Sequence, residues 1–150
     1  MKSIRELLGK LNACCEAVEW AGNMPVEEVV ANCHRGDWLL WLAQKIDIGL
    51  QPITLAKGHC AATVLHLMTD KRSQEAVRVA IAFGEGKATR EELDASAYDS
   101  AAYYSAAYDS AYAAAEAAYA ARKRNQGETA DICRKYIGQL IVEKVNKTNK

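Results

Sequence analysis

The sequence predicts an all-α protein, and three observations carry that prediction. Residues 89–125 are an almost uninterrupted run of alanine, tyrosine, serine and acid without one glycine or proline. Outside this tract, apolar residues recur at helical spacing between capping signals. No stretch of strand-forming residues alternates apolar with polar, so a sheet is not expected. The expected architecture is a single helical domain over residues 1–150, a compact array of six or seven helices in an orthogonal or bundle-like arrangement. A chain of this length buries about two thirds of its unfolded surface in one core.

Ser3 and Glu6 form a capping box opening a first helix, which carries Leu7, Leu8, Leu11, Cys14, Cys15 and Val18 inward and ends near Trp20. Gly22 and Asn23 stop it. Pro25 suits the first turn of a short second helix, with Val26, Val29 and Val30 on one side and Arg35-Gly36 at its end. Asp37 then caps Trp38-Leu39-Leu40-Trp41-Leu42, apolar around its whole circumference and therefore expected at the centre of the core. Trp38 and Trp41 read as core anchors there, and Trp20 as the exposed tryptophan. Pro52 starts a helix with Ile53, Ala56, Cys60, Val64, Leu67 and Met68 at helical spacing, and Ser73 starts another, closed by Gly84 and Gly86. Thr89 and Glu92 cap the alanine and tyrosine tract, expected as one helix over about 89–125, roughly 50 Å long at 1.5 Å per residue. Gly127 separates it from a last amphipathic helix carrying Ile132, Cys133, Tyr136, Ile137, Leu140, Ile141 and Val145.

The composition bounds function. The chain is 50% hydrophobic, but much of that is alanine, so the core must rely on close helix approach more than on bulky side chains. A net charge of zero conceals a polarity along the sequence: residues 1–90 carry 11 bases and 10 acids, 91–121 carry 6 acids and no base, and 122–150 carry 8 bases and 3 acids. The five cysteines are an odd number with no secretory signal ahead of them, and no apolar run is long enough to span a membrane. These features predict a cytoplasmic protein without membrane association.

Within the alanine tract, at 100° per residue, Tyr104, Tyr108, Tyr112 and Tyr119 share an arc of about 80°, and Ala107, Ala111, Ala114, Ala118 and Ala121 form a seam beside it. Glu91, Glu92, Asp99, Asp109 and Glu116 fall on the opposite side. Two readings follow. Either tyrosine and alanine pack inward beneath a solvated acidic face, or that face is a docking surface for a basic partner, through Glu92, Asp99, Asp109, Glu116 and Tyr98.

Other motifs have plainer explanations. Arg35-Gly36-Asp37 matches an adhesion tripeptide, but the glycine ends one helix and the aspartate caps the next. Cys33-His34, His59-Cys60 and His66 offer metal chemistry, with His59 and His66 seven apart on one helix face. Adjacent Cys-His pairs cannot both turn to one ion, and no metal or cofactor is expected. Cys33 reads as a core cysteine rather than a nucleophile. Gly84-Glu85-Gly86-Lys87-Ala88-Thr89 lacks P-loop spacing and reads as a helix-to-helix turn. No set of titratable residues converges by motif, so an enzyme is not expected.

The order Cys33-His34-Arg35-Gly36-Asp37-Trp38-Leu39-Leu40-Trp41-Leu42, then Leu55-Ala56 and Cys60, then Gly86-Lys87-Ala88-Thr89, the alanine tract and Ala130-Asp131-Ile132-Cys133-Arg134-Lys135-Tyr136-Ile137 resembles the immunity protein five-like family of bacteria and of phage or prophage genomes. The resemblance covers about residues 15–137. It implies a small helical protein that neutralises a toxin's effector domain by stoichiometric binding, with no chemistry of its own. This chain departs from the family in having tyrosine where alanine is usual. An alternative partner is a bacterial defence complex, inhibited in anti-CRISPR-like fashion by an acidic face that competes with nucleic acid. A third reading is a nucleic-acid-binding module using Arg122-Lys123-Arg124, Arg134 and Lys135.

Overall fold

A computed structural model describes the backbone of residues 3–98 and 119–148, with side chains over 3–98 and 124–148. The fold is all-α, and no strand occurs among the described residues. Helix α1, Ile4–Lys10, starts as expected, with the Ser3 hydroxyl accepting from the Glu6 amide at 3.2 Å. It does not run on to Trp20. Asn12 adopts φ 57°, and the Ala13 amide donates to the Leu8 carbonyl at 2.9 Å, a left-handed stop that asparagine tolerates without glycine. The chain restarts as α2, Cys15–Ala21, so one expected helix is two joined by a sharp bend.

Helix α3, Val26–Asn32, follows Pro25 and buries Val26, Val29 and Val30. Helix α4, Gly36–Lys45, begins one residue before Asp37, which lies in its first turn rather than at the cap. A carboxylate there still complements the positive helix end. Helix α5, Leu50–Ala62, admits Pro52 in its first turn, where a missing N–H leaves no intrahelical bond unmade. It ends before Val64; Leu65–Leu67 form a 3₁₀ turn and Leu67 is exposed, against the longer helix expected. Helix α6, Lys71–Gly84, is capped by Asp70 rather than opened by Ser73: the Asp70 carboxylate accepts from the Arg72 and Ser73 amides at 2.8 and 3.3 Å. Residues 90–98 form α7, and its capping box is complete in both directions: the Thr89 amide donates to the Glu92 carboxylate at 2.7 Å, and the Glu92 amide to the Thr89 hydroxyl at 3.1 Å. The expected helix over 89–125 is thus helical at its start and again from Tyr119; residues 99–118, with Asp99, Asp109, Glu116 and most of the tyrosine and alanine stripes, lie outside the described residues.

Gly127 does not divide the chain. Helix α8, Tyr119–Cys133, passes through it, continues as a π-turn at Arg134–Gly138 and becomes α9, Gln139–Thr148. One glycine costs a helix about 1 kcal/mol, which the packing of the flanking turns outweighs. Cys133, Ile137, Ile141 and Val145 on this rod are all buried. Spaced four apart, they would drift by about 120° around a regular α-helix. The π-turn, with i→i+5 bonds, takes more residues per turn and holds the line toward the core.

The core gathers this line with Ile4, Leu8, the valines of α3, Leu39, Leu42 and Ala43 of α4, and Ile53 and Ala56 of α5. Backbones meet at glycine. A Cβ on Gly36 would lie 2.6 Å from the Thr129 carbonyl carbon, so α4 touches α8 directly. Between α5 and α6 the contact is reciprocal: a Cβ on Gly58 would meet Ile81 at 2.8 Å, and one on Gly84 would meet Leu55 at 2.4 Å.

These contacts predict opposite outcomes for two glycine-to-alanine changes. Gly36→Ala should lower unfolding free energy by about 2 kcal/mol, because the obstacle is backbone and cannot swing aside. Gly127→Ala, where a Cβ meets nothing within 4 Å, should raise it by up to about 1 kcal/mol. Urea titration of both variants checks the pair of signs.

Candidate binding site

The bend at Asn12 turns α1 away from α2, and the resulting gap faces α4. Trp38 and Trp41, three residues apart, lie together on one side of α4, while Leu39, Leu42 and Ala43 take the adjoining buried side. The tryptophans are therefore half-buried walls, not enclosed core anchors, and Trp20 of α2 is half-buried beside them. Together with Leu8, Ala17 and Val29 they line a cleft of about 530 Å³. This volume is within the range of ligand and anchor-residue pockets. Residue type alone did not reveal it: the signal was Trp38 and Trp41 at helical spacing, but their exposure depends on where α1 ends.

One wall is an aromatic triangle. Trp20 and His34 meet edge to face with centroids 5.7 Å apart, His34 and Trp38 likewise at 5.7 Å, and the two tryptophans are 6.0 Å apart. The Arg35 guanidinium lies over the Trp38 ring at 4.8 Å and donates twice to Asp37, at 2.8 and 2.6 Å. Arg35-Gly36-Asp37 is thus closed on itself, and its charges pin the indole from the rim. Those hydrogen bonds hold the Asp37 carboxyl below its usual range and raise Arg35 above its own. Cys33 turns inward, its thiol against the Arg35 carbonyl at 3.3 Å, and burial pushes its pKa up. The adjacent Cys33 and His34 diverge, as their adjacency predicts.

Of the acidic strip, Glu91 and Glu92 are described, and both are exposed, as is the neighbouring Tyr98 at 79%. Glu92 closes its capping box and lines an open groove of mixed charge with Lys71, Glu75, Arg78 and Lys87, where Arg78 pairs with Glu75 at 3.3 Å. Asp94 pairs with Arg90 at 2.9 Å. His59 stacks on Tyr136 at 4.5 Å with rings nearly parallel, while His66 lies in the 3₁₀ turn past the end of α5; the two do not share a helix face. Among the described residues no three His, Cys, Asp or Glu side chains gather as metal ligands, no buried side-chain polar atom lacks a hydrogen-bond partner, and no helix is long and apolar enough to cross a membrane. In the basic C-terminal segment, Arg134 is turned inward: it donates to the Val30 carbonyl at 3.5 Å and to the Cys33 carbonyl, and pairs with Asp131. Lys135 lies over the Tyr136 ring at 5.3 Å.

No family model, curated protein or solved structure matches this chain.

The Arg35–Asp37 pair gives the cleft a pH dependence. Because the folded pKa of Asp37 lies below the ordinary 3.8, the pair stabilises fully above that value, and its contribution disappears as pH falls through the lowered folded pKa. Urea unfolding should place Asp37→Asn below the wild type at about pH 6, with the gap closing toward about pH 2.

Proposed function

We propose that this chain is a non-catalytic binding protein that inhibits a protein partner by stoichiometric occlusion in the cytoplasm. The observation that carries the reading is the cleft between α2 and α4: three tryptophans, one of them held by an arginine, border a space of anchor-residue size. Tryptophan and arginine are the residues that most often dominate interface energies. Two polar groups at the cleft are already committed, Asp37 to Arg35 and the Cys33 thiol to a backbone carbonyl, which leaves a largely aromatic and aliphatic lining suited to an apolar anchor. The six acids and no base of residues 91–121 add long-range attraction for a basic partner. Exposed Tyr98 at the start of that run, with Glu92, Asp99, Asp109 and Glu116, supplies a second contact.

The partner class follows from the resemblance to the immunity protein five-like family: a toxin's effector domain. A nuclease of a bacterial defence complex is the alternative that the acidic run favours, since six carboxylates oppose a nucleic-acid channel. The nucleic-acid-binding reading loses one of its cations, because Arg134 is spent on α3 carbonyls and Asp131.

The test is affinity capture from lysate with wild type, Trp38→Ala, and a variant neutralised at Glu92, Asp99, Asp109 and Glu116. One stoichiometric partner is expected, with binding to Trp38→Ala weakened by about 30-fold, the equivalent of about 2 kcal/mol. Neutralisation should slow association and flatten its salt dependence. Undiminished capture by Trp38→Ala overturns the cleft as the anchor, and release of the partner by added DNA moves the assignment to the defence complex.

Because all three tryptophans of the chain border the cleft, partner binding should shift the intrinsic tryptophan emission. A fluorescence titration that leaves the emission unchanged while binding saturates places the contact elsewhere.

A further inference from the structure

Three cysteines lie inside the fold, and two of them face each other. Cys60 on α5 and Cys133 on α8 are 73 positions apart in sequence, yet their Sγ atoms are 3.8 Å apart. Their surroundings differ. Cys133 is fully buried, its thiol also within 3.5 Å of the Gly36 carbonyl, whereas Cys60 is half-buried, within 3.8 Å of the Thr129 carbonyl. Cys33 turns its thiol to the Arg35 carbonyl, and Cys14 and Cys15 are exposed. The proposed binding function makes no use of the Cys60–Cys133 pair.

We propose that Cys60 and Cys133 form an oxidation site at which a hydroperoxide closes a disulfide between α5 and α8. The bond length of about 2.04 Å requires the sulfurs to approach by about 1.8 Å from 3.8 Å, the distance of two thiols already in contact. The roles within the pair are unequal. A hydrogen bond from Cys133 holds the Cys60 thiol below its ordinary pKa, and the same bond with burial pushes Cys133 well above its own. Cys60 is thus the sulfur with both the thiolate character and the access that peroxide attack requires.

The reaction balances. The Cys60 thiolate attacks one peroxide oxygen, the O–O bond breaks, and hydroxide leaves to take up a proton, giving a sulfenic acid on Cys60. The Cys133 sulfur then attacks the Cys60 sulfur, the S–O bond breaks, and the departing hydroxyl leaves as water with the Cys133 thiol proton. With hydrogen peroxide as the hydroperoxide, two thiols are oxidised to one disulfide and one peroxide is reduced to two waters; an organic hydroperoxide would give an alcohol and one water. The bridge encloses residues 61–132, and with them the whole alanine and tyrosine tract. Such a long loop, once closed, loses much of its unfolded freedom, so the oxidised protein should melt at higher temperature than the reduced.

The experiment uses the full chain with Cys14→Ser and Cys15→Ser, which removes the two exposed thiols without touching the core. After hydrogen peroxide treatment and alkylation in denaturant, non-reducing peptide mass spectrometry should find Cys60 linked to Cys133 and Cys33 alkylated. The intact mass should fall by about 2 Da, and the melting temperature should rise by several degrees, both reversed by dithiothreitol. Adding Cys60→Ser should abolish the link and leave Cys133 unoxidised. The proposal is overturned by Cys60 and Cys133 both alkylated after peroxide, by Cys60 carried to sulfinic acid with Cys133 free, or by a link that forms only in denaturant. A Cys33–Cys133 link in place of the expected one overturns it equally.

Discussion

The structure depends on how the terminal helix is fastened to the end of α3. Arg134 reaches the carbonyls of Val30 and Cys33, the group of acceptors that a helix leaves unpaired at its C-terminal end, and brings a positive charge to the negative end of α3. From that point Cys133, Ile137, Ile141 and Val145 run along the core as one line. The π-turn that begins at Arg134 makes the line possible, since regular α geometry would carry its two ends to different sides of the helix. The fastening also fixes α4. With Cys33 tied, Gly36 is brought against Thr129 closely enough that no side chain fits, and the Trp38 face is left pointing at α2.

The cleft is the complement of this arrangement. Asn12, in a left-handed conformation, ends α1 and lets the chain restart as α2, and Leu8, Asn12, Ala17 and Trp20 from the two sides of this bend line the cleft beside the α4 tryptophans. The rim then needs an internal tie, because an indole half out of the core has freedom to rotate; Arg35 above the ring and His34 at its edge restrict it. A site stiffened before binding loses less entropy when it is occupied.

The helical fold class was legible from periodicity, and the capping boxes at Ser3 and Thr89 were legible from four-residue patterns, because such bonds are local. Boundaries set by tertiary contact were not. Asn12 gives no strong stop signal, since asparagine also occurs inside helices and at caps. Gly127 gives a stop signal that packing overrides. The circumference of Trp38–Leu42 reads as core by composition, yet burial of its tryptophan side depends on a neighbour whose course is decided far away in sequence, at Asn12. Charge behaved similarly: Glu92 belongs to an acidic run in sequence, while in space it shares a groove of mixed charge with Lys71, Glu75 and Arg78 of α6 and with Lys87.

The reciprocal glycine contact of α5 and α6 has a mechanical consequence. Each helix presents its one missing side chain to a bulky residue of the other, Gly58 to Ile81 and Gly84 to Leu55. A shift of either helix along its axis would bring Cβ atoms into both positions at once, so the pair resists sliding in either direction. Rearrangements of packed helices commonly proceed by such sliding or by rotation about a connecting segment. This pair is barred from the first, so it keeps its register as a ratchet does and acts as a fixed spacer beside α8.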